Sequence, residues 1–484
     1  MTLAGQMHTD LQKRQRIVLA VFAVFLMLFF LFPPLMPERW NALYLSYGRA
    51  AIVAVAAIYF FFHGFRGPIE VKLVLYYSVW VLLTRLLNTD YYLQNELDLV
   101  IARILCCVIL PLGLLLQPRE RLVLLDVVIA VAGAFYFLIA LLGLYACIFG
   151  IYFYIPPEDV VFGFDSAYWC PGFYYIVAEG TNRTISAVWF YLSWCMMVYE
   201  FFRCGRKLWR IPILLAMFVF HLAIAFCFCR SIKLAFCINI AMLTFLLGQR
   251  YVKVQSRGLK ALVSVVLMLA VLPITYRSFD VLTDTAALVY NSLDTEIERT
   301  SDQFLWDSTV EAHKDGQTFS DVRELSVSVS SLSGRRKVFS SVIPSLRYEP
   351  RRILIGKYSH KVMEAPNFFL HDSFYHMHNI WLQVLMLTGL PGFLLIVGFT
   401  LLLIWRMLRL FFSKVPGATL AIKSLTFPLT GVLIYGMFET MLFTQCADDR
   451  ACTDFRELFF FLAAGIVLAF SYEFAPPGKR SKES

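Results

Sequence analysis

The sequence predicts an all-α polytopic membrane protein with about twelve transmembrane helices and one large external loop that contains short helices. Two observations predict this fold class, namely the composition and the spacing of the apolar runs. Of the 484 residues, 59% are hydrophobic and only 16% are charged, whereas soluble proteins have about 45–50% apolar and about 25% charged residues. Apolar runs long enough to cross a bilayer, roughly 20 residues each, recur along the chain. The composition therefore excludes an ordinary water-soluble fold.

The apolar runs are predicted to be separate membrane-spanning helices. The first run is too long for a signal peptide, and no small-residue cleavage site follows it before Pro33. The runs lie at 16–33, 46–65, 69–88, 99–117, 121–150, 184–202, 211–228, 232–248, 259–276, 380–410, 417–440 and 457–474.

The run at 380–410 is too long for one straight span. Gly389, Pro391 and Gly392 interrupt it, and proline and glycine break or kink helices. A short helix at 380–388, followed by the full span, is therefore predicted.

Charge alternates between the predicted connections. Lys and Arg cluster before the first helix, in four connections that fall on the same side in a twelve-helix count, and after the last helix, whereas three of the alternate connections are acidic. Because positive residues are retained on the cytoplasmic side, this pattern predicts that both chain ends are cytoplasmic. The net charge of +9 is explained by this distribution and does not indicate a nucleic-acid partner. The basic clusters lie at 13–16, 119–121, 203–210, 250–260, 406–423 and 479–482.

One connection is much longer than the others. Residues 277–379 form a polar, external segment with amphipathic stretches at Val281 to Ile297 and Val338 to Leu346, which predict short helices over the membrane mouth. The chain is accordingly divided into helices 1–9 at 1–276, the large extracytoplasmic loop at 277–379, and helices 10–12 with a cytoplasmic tail at 380–484.

Four arginines are candidates for anion binding. Arg230 ends an apolar run on the external side, where its guanidinium can contact a phosphate or simply extend to lipid headgroups. Arg183 lies at the external start of the sixth helix, a position that also suits interfacial anchoring. Arg335 and Arg336 form a basic cluster in the large loop, which is either a solvated face or a site for a lipid-linked pyrophosphate.

Three histidines lie within eight residues, ending at His378, directly before the tenth helix. Their spacing does not match a known zinc motif, and no CxxC pair occurs among the eleven cysteines, so no metal or cofactor is predicted. Cys446 and Cys452 share a short polar loop, where a disulfide and two free thiols both remain open. A histidine, with an unperturbed pKa of about 6.5, is suited to accept a proton from a hydroxyl.

These residues resemble a known family. His378 and Asn379, then nine residues, then Gly389 and Gly392 resemble the signature of bacterial O-antigen ligases, in which His-Asn, His-Ser or His-Gln precedes two spaced small residues. Arg230 with Leu234 resembles the family's Arg-x3-Leu motif. The stretch from Arg335 through Pro350, Leu354 and Gly356 resembles its large-loop segment, and the architecture of about twelve helices covers the whole chain.

The resemblance implies a metal-independent transferase in a bacterial cytoplasmic membrane. Such enzymes transfer a glycan from an undecaprenyl-pyrophosphate-linked donor to a hydroxyl of a saccharide or lipid-linked acceptor on the extracytoplasmic face. By this resemblance His378 is the catalytic base, and Gly389 and Gly392 allow close backbone approach. The expected substrate-binding residues are Arg230, Arg335, Arg336, Arg183 and Asn379.

Two alternatives remain open at this point. A transporter or flippase of polyisoprenoid-linked saccharides has a similar number of helices, although transporter sites usually lie near the bilayer midplane. Within the resembled superfamily, a ligase and a polymerase share the same donor and differ only in the acceptor.

Overall fold

The structure is a computed structural model in which helices long and apolar enough to cross a membrane dominate the described residues. These residues are 67–87, 96–149, 152–155, 160–165, 172–176, 183–292 except 228, 350–356, 379–438 except 416, and 455–474, with single positions between 12 and 24 and at 342, 346 and 347. By length and composition, five described helices can cross a membrane. These are Pro118–Leu144, Lys207–Cys227, Arg230–Tyr251, Arg257–Leu282 and Ile380–Phe411.

The helices and strands follow the apolar runs closely. In chain order they are α1 Ile69–Leu87, α2 Glu96–Leu115, α3 Pro118–Phe149, β1 Tyr152–Ile155, β2 Val160–Asp165, β3 Gly172–Ile176, α4 Arg183–Arg203, α5 Arg210–Cys227, α6 Arg230–Tyr251, α7 Arg257–Ser292, α8 Arg351–Ile355, α9 Ile380–Phe411, α10 Leu420–Ser424, α11 Thr426–Gly436 and α12 Phe455–Glu473. Ten of the twelve predicted runs therefore have a helical counterpart. The runs at 16–33 and 46–65 lie largely or wholly outside the described residues.

Two predictions about the connections differ from the structure. The helix predicted to end at 276 continues as α7 to Ser292, so 281–292 extends a spanning helix and does not begin a separate surface helix. The acidic connection after α3 contains a small antiparallel sheet in the order β1-β2-β3, an addition to an otherwise helical fold among the described residues. In this sheet, Phe153 pairs with Phe162, which pairs with Tyr175. The strands are rich in aromatic residues, which favour extended backbone.

Several helix ends meet at one face of the bundle, which we call the basic face. There the start of α1 and the ends of α9 and α12 meet, because Arg406 Nε donates to Glu70 Oε1 at 2.8 Å and Arg406 Nη2 donates to the Tyr472 hydroxyl at 2.7 Å. The Tyr472 hydroxyl donates to Glu70 Oε2 at 2.8 Å. Glu70 is fully buried and Arg406 is 6% exposed, so both charged side chains need hydrogen-bond partners within the protein.

A second group of ion pairs extends the basic face. Arg121, at the start of α3, pairs with Glu473 at the end of α12 at 2.5 Å and donates through Nε to the Gly113 carbonyl at 2.7 Å. Arg203, at the end of α4, pairs with Asp126 of α3. The helix ends that the alternating-charge argument assigns to one side of the membrane therefore meet in the structure.

The middle of the bundle contains one buried polar cluster. Asn239 Nδ2 of α6 and the Tyr191 hydroxyl of α4 each donate to the Phe427 carbonyl of α11 at 3.0 Å. Asn239 and Tyr191 are both fully buried and are also hydrogen-bonded to each other. These contacts fix α11 against α4 and α6, directly before Pro428.

Candidate functional site

The predicted break in the tenth helix is present and defines one end of the candidate site. Gly389 lies inside α9 with φ 68° and ψ −173°, so the residues on either side form two helices that meet at this glycine. A positive φ is strained for residues with a side chain. The sequence prediction of a short helix followed by a full span is confirmed here.

The loop segment before α9 contacts this break through its backbone. A Cβ atom on Gly389 would lie 2.6 Å from the Leu354 carbonyl oxygen and 2.8 Å from the Gly356 nitrogen. Gly356 also has φ 68°, and a Cβ atom there would collide with the Leu387 carbonyl. Both positions therefore require glycine, because the backbone has a positive φ and because a Cβ atom would not fit. The backbone at the end of α8 packs directly against the backbone of α9.

A tryptophan of α1 completes the packing around the break. Trp80 Nε1 donates to the Thr388 carbonyl at 2.7 Å. A Cβ atom on Gly392 would lie 3.0 Å from Trp80 Cδ1 and would collide with the Thr388 side chain. Gly392 thus leaves space for the side chains of Trp80 and Thr388, whereas the sequence predicted a close approach of backbones at this residue.

Asn379 fixes the point at which α9 begins. Its Oδ1 accepts from the Trp381 and Leu382 amides, both at 3.0 Å, which is the usual geometry of a helix N-cap. Its Nδ2 donates to the Met437 carbonyl, directly after α11, at 2.8 Å. The amide oxygen is therefore already used by the backbone, and the structure gives Asn379 a positioning role. Its predicted part in substrate binding remains a prediction.

Arg230 is the first residue of α6, in agreement with its predicted place at the boundary of an apolar run, and its side chain is exposed. The next turn of α6 is held firmly, since Lys233 Nζ pairs with Asp280 at 2.6 Å and lies 3.7 Å from the centroid of the Tyr276 ring. Arg230 is thus an accessible cation on a rigid helix start.

Two buried arginines were not selected from the sequence. Arg103, inside α2, is 2% exposed and lies 5.9 Å from the centroid of the Tyr77 ring. Arg352, in α8, is 4% exposed, whereas its neighbour Arg351 is exposed and donates to the Leu87 carbonyl at 3.2 Å. The sequence signal for Arg103 is a single charged residue within the apolar run of α2, which makes it a candidate functional residue. For Arg352 the sequence shows only a basic pair.

The remaining predicted site residues lie at the limit of what the structure describes. Arg183 begins α4, but its side chain lies outside the described residues, as do Arg335, Arg336, His378 and the two loop cysteines. Among the described residues, no group of three His, Cys, Asp or Glu side chains is arranged to hold a metal ion. Neither protein-family models nor curated proteins give a match to this chain.

Proposed function

We propose that the protein is a membrane glycosyltransferase that transfers a glycan from an undecaprenyl-pyrophosphate-linked donor to an acceptor hydroxyl. The observation that carries the proposal is the contact between two separate parts of the resembled signature. Gly356, from the large-loop part, and Gly389, from the histidine part, lie backbone against backbone. Residues that match a family pattern by accident have no reason to meet in space.

The start of α9 supports the catalytic role of His378. Because Asn379 is the N-cap, His378 is the residue directly before the helix, and Asn379 ties this point to the end of α11. A helix N-terminus carries a partial positive charge that favours an anion nearby, such as a departing pyrophosphate. His378 would take the proton of the acceptor hydroxyl while the oxygen attacks the anomeric carbon and the carrier pyrophosphate leaves.

Arginines would stabilise the leaving group. A guanidinium remains charged and contacts phosphate oxygens through two donors, which permits catalysis without a divalent metal. Arg230 is the first choice because it is exposed at a fixed helix start. Arg335, Arg336 and Arg183 are the further substrate-binding residues of this proposal.

The site would lie on the extracytoplasmic face of a bacterial cytoplasmic membrane. The basic face contains Arg121, Arg203 and Arg406, and positive residues favour the cytoplasmic side. The start of α9 and the start of α6 lie at the opposite ends of their helices from Arg406 and Arg250. Cytoplasmic chain ends and about twelve spans are part of the same proposal.

Transfer by the purified full-length protein tests the proposal. We expect undecaprenyl-pyrophosphate-linked oligosaccharide to be consumed in the presence of chelator, and we expect His378→Ala and Arg230→Ala to abolish consumption. His376→Ala and Arg250→Ala are the matched controls, because Arg250 is an exposed arginine at the other end of α6. Full transfer by His378→Ala would refute the assigned role. Product length separates a polymerase from a ligase.

A flippase or transporter is the second candidate, and one observation favours it. The Tyr191–Asn239–Phe427 cluster is polar and buried, and Tyr191 and Asn239 lie near the middle of α4 and α6, where transporter sites usually lie. Its donors are used to join α4, α6 and α11, which suits a structural role better than ion or substrate binding. Movement of labelled carrier lipid across vesicles without any glycan transfer would favour this candidate.

A further inference from the structure

An open cleft lies between α5 and α7, and its volume is about 660 Å³. Phe218 and His221 of α5 form one wall, and Ile274, Arg277 and Ser278 of α7 form part of the other. None of these residues belongs to the signature around His378. The cleft is therefore a separate feature of the bundle.

The walls of the cleft face outwards within apolar helices. Phe218 is 52% exposed and Ile274 is 68% exposed. Only 11% of the apolar stretch of α7 is buried, against 39–50% in the other four candidate spans, so α7 lies at the edge of the described bundle. Exposed apolar side chains on a spanning helix contact hydrocarbon, and an apolar chain is the occupant that suits these walls.

Polar groups occur at one level of the cleft. His221 stacks on Phe236, with ring centroids 4.6 Å apart, and its Nε2 lies 3.3 Å from Ser278 Oγ. Ser278 Oγ donates to the Thr275 carbonyl, so it accepts from His221. The contacts with Phe236 and Ser278 fix the position of the His221 imidazole in the wall of the cleft. Arg277 is exposed at the cleft, and an ionisable residue on a spanning helix is costly unless it binds an anion or reaches the interface.

Arg277 of the cleft and Arg230 lie at nearby levels of the bundle. Asp280, three residues after Arg277, pairs with Lys233, which is three residues after Arg230 on the antiparallel helix α6. At a rise of about 1.5 Å per residue, Arg277 and Arg230 are separated along the bundle by roughly 9 Å. Two extended arginine side chains can span that distance and contact neighbouring phosphates.

We propose that this cleft binds the isoprenoid chain of the lipid-linked donor, with Arg277 contacting its phosphate and directing the pyrophosphate towards Arg230. The inference rests on the proposed function, because it assigns a binding place to that donor. The charge of Arg277 selects an anionic headgroup, and the apolar walls select a long chain. An uncharged lipid would offer no anionic partner to Arg277.

Binding of undecaprenyl pyrophosphate to the full-length protein in detergent tests the inference. Ile274→Trp fills the cleft, and Leu262→Trp is its matched control, since Leu262 is an isomeric side chain on α7 that is 59% exposed outside the cleft. We expect Ile274→Trp to weaken binding about tenfold, which corresponds to about 1.4 kcal/mol, and Leu262→Trp to change it less than about twofold.

Chain length and charge provide independent measurements. Geranyl pyrophosphate has the same headgroup and a short chain, so its affinity should change less than about twofold in Ile274→Trp. Arg277→Gln should weaken both ligands, whereas Arg257→Gln, at the other end of α7, should weaken neither. Equal effects of the two tryptophan variants, or equally strong competition by phosphatidylglycerol, would overturn the inference.

Failure of the two proposals can be told apart. If the wild-type protein transfers glycan and Ile274→Trp does so with unchanged affinity for the long-chain donor, the cleft assignment is wrong and the transferase stands. If the wild-type protein binds the carrier lipid in the cleft but transfers no glycan, the transferase assignment is wrong and the lipid site stands. Circular dichroism and gel filtration of each variant show that the bundle is intact.

Discussion

The basic face and the start of α9 are held together in different ways. At the basic face, charged side chains pair with each other, as in the Arg406–Glu70–Tyr472 group. At the start of α9, backbone atoms and glycines make the close contacts, as between Gly356 and Gly389. Arginines at the basic face join helices to one another, whereas Arg230, at the start of α6, is exposed. The comparison indicates that the basic face is structural and that the region at the starts of α9 and α6 is available to a ligand.

The largest expected effect comes from removing one partner of the buried group at the basic face. Arg406→Met leaves the fully buried Glu70 without its cation, and we expect the free energy of unfolding to fall by about 3–5 kcal/mol. The double variant Glu70→Gln with Arg406→Met removes both charges and should recover more than half of that loss. Unfolding midpoints in detergent measure both changes.

Lys72→Met is the control for that experiment. Lys72 is exposed on the same helix as Glu70, and its substitution should change the free energy of unfolding by less than about 0.5 kcal/mol. Transfer per folded molecule should be unchanged in the Arg406 variant. If transfer per folded molecule were lost in the Arg406 variant, the basic face would have a functional role in addition to its structural one.

Gly389→Ala should have the next largest effect and should act mainly on function. The alanine would have to adopt φ 68°, at a cost of about 1–3 kcal/mol, and its Cβ atom would press on the backbone of α8. We expect α8 to be displaced and transfer to be lost while most of the helical circular dichroism is retained.

Gly398→Ala is the matched substitution on the same helix. Its Cβ atom would lie 3.7 Å from Leu73 Cδ1, an ordinary contact, at a residue inside the α9 span. Alanine is a better helix former than glycine by about 0.5–1 kcal/mol, so this variant should be as stable as the wild type or more so. Equal loss of transfer in both glycine variants would contradict the role assigned to the break.

The sequence predicted those features of α9 that depend on local chemistry. Glycine and proline favour a break in a long helix, and the short helix before Gly389 was therefore predicted correctly, although Pro391 and Gly392 lie within the helix that follows. The contact of Gly389 with Gly356 was not predicted, because no local pattern specifies which distant backbone fills the space. The same limit applies to Glu70 and Arg406, which are 336 residues apart.

Hydropathy predicted spans better than it predicted helix ends. The apolar run of α7 stops near 276, but the helix continues to Ser292, because leaving the membrane does not by itself terminate a helix. The three strands after α3 were missed because they are short and lie in a segment that was identified by its acidic charge. Of the candidate site, the positions of Asn379 and Arg230 at helix starts were predicted. Its N-cap bonds, and the burial of Arg103 and Arg352, were not.

Two substitutions of Asn379 can distinguish a helix-capping role from a role in substrate binding. Their expected effect on stability is smaller than that of Arg406→Met or Gly389→Ala. Asn379→Ala removes the N-cap of α9 and the bond to Met437, and should lower the free energy of unfolding by about 1 kcal/mol. Asn379→Asp keeps an oxygen for the cap and should recover most of that stability. If transfer follows stability across both variants, the role is positioning. If Asn379→Asp is stable and inactive, the amide itself has a part in the reaction.

Trp80→Phe should have an effect of similar size and tests whether a side chain supports the break. The substitution removes the indole donor to the Thr388 carbonyl but keeps an aromatic ring, so we expect a loss of about 0.5–1.5 kcal/mol. Trp405→Phe is the control, because Trp405 is 61% exposed on α9 and should be nearly neutral. Hydrogen exchange of the amides around Gly389 provides the local measurement, since a carbonyl without its indole partner should loosen that turn. Unchanged exchange in Trp80→Phe would mean that the two glycine backbones hold the break by themselves.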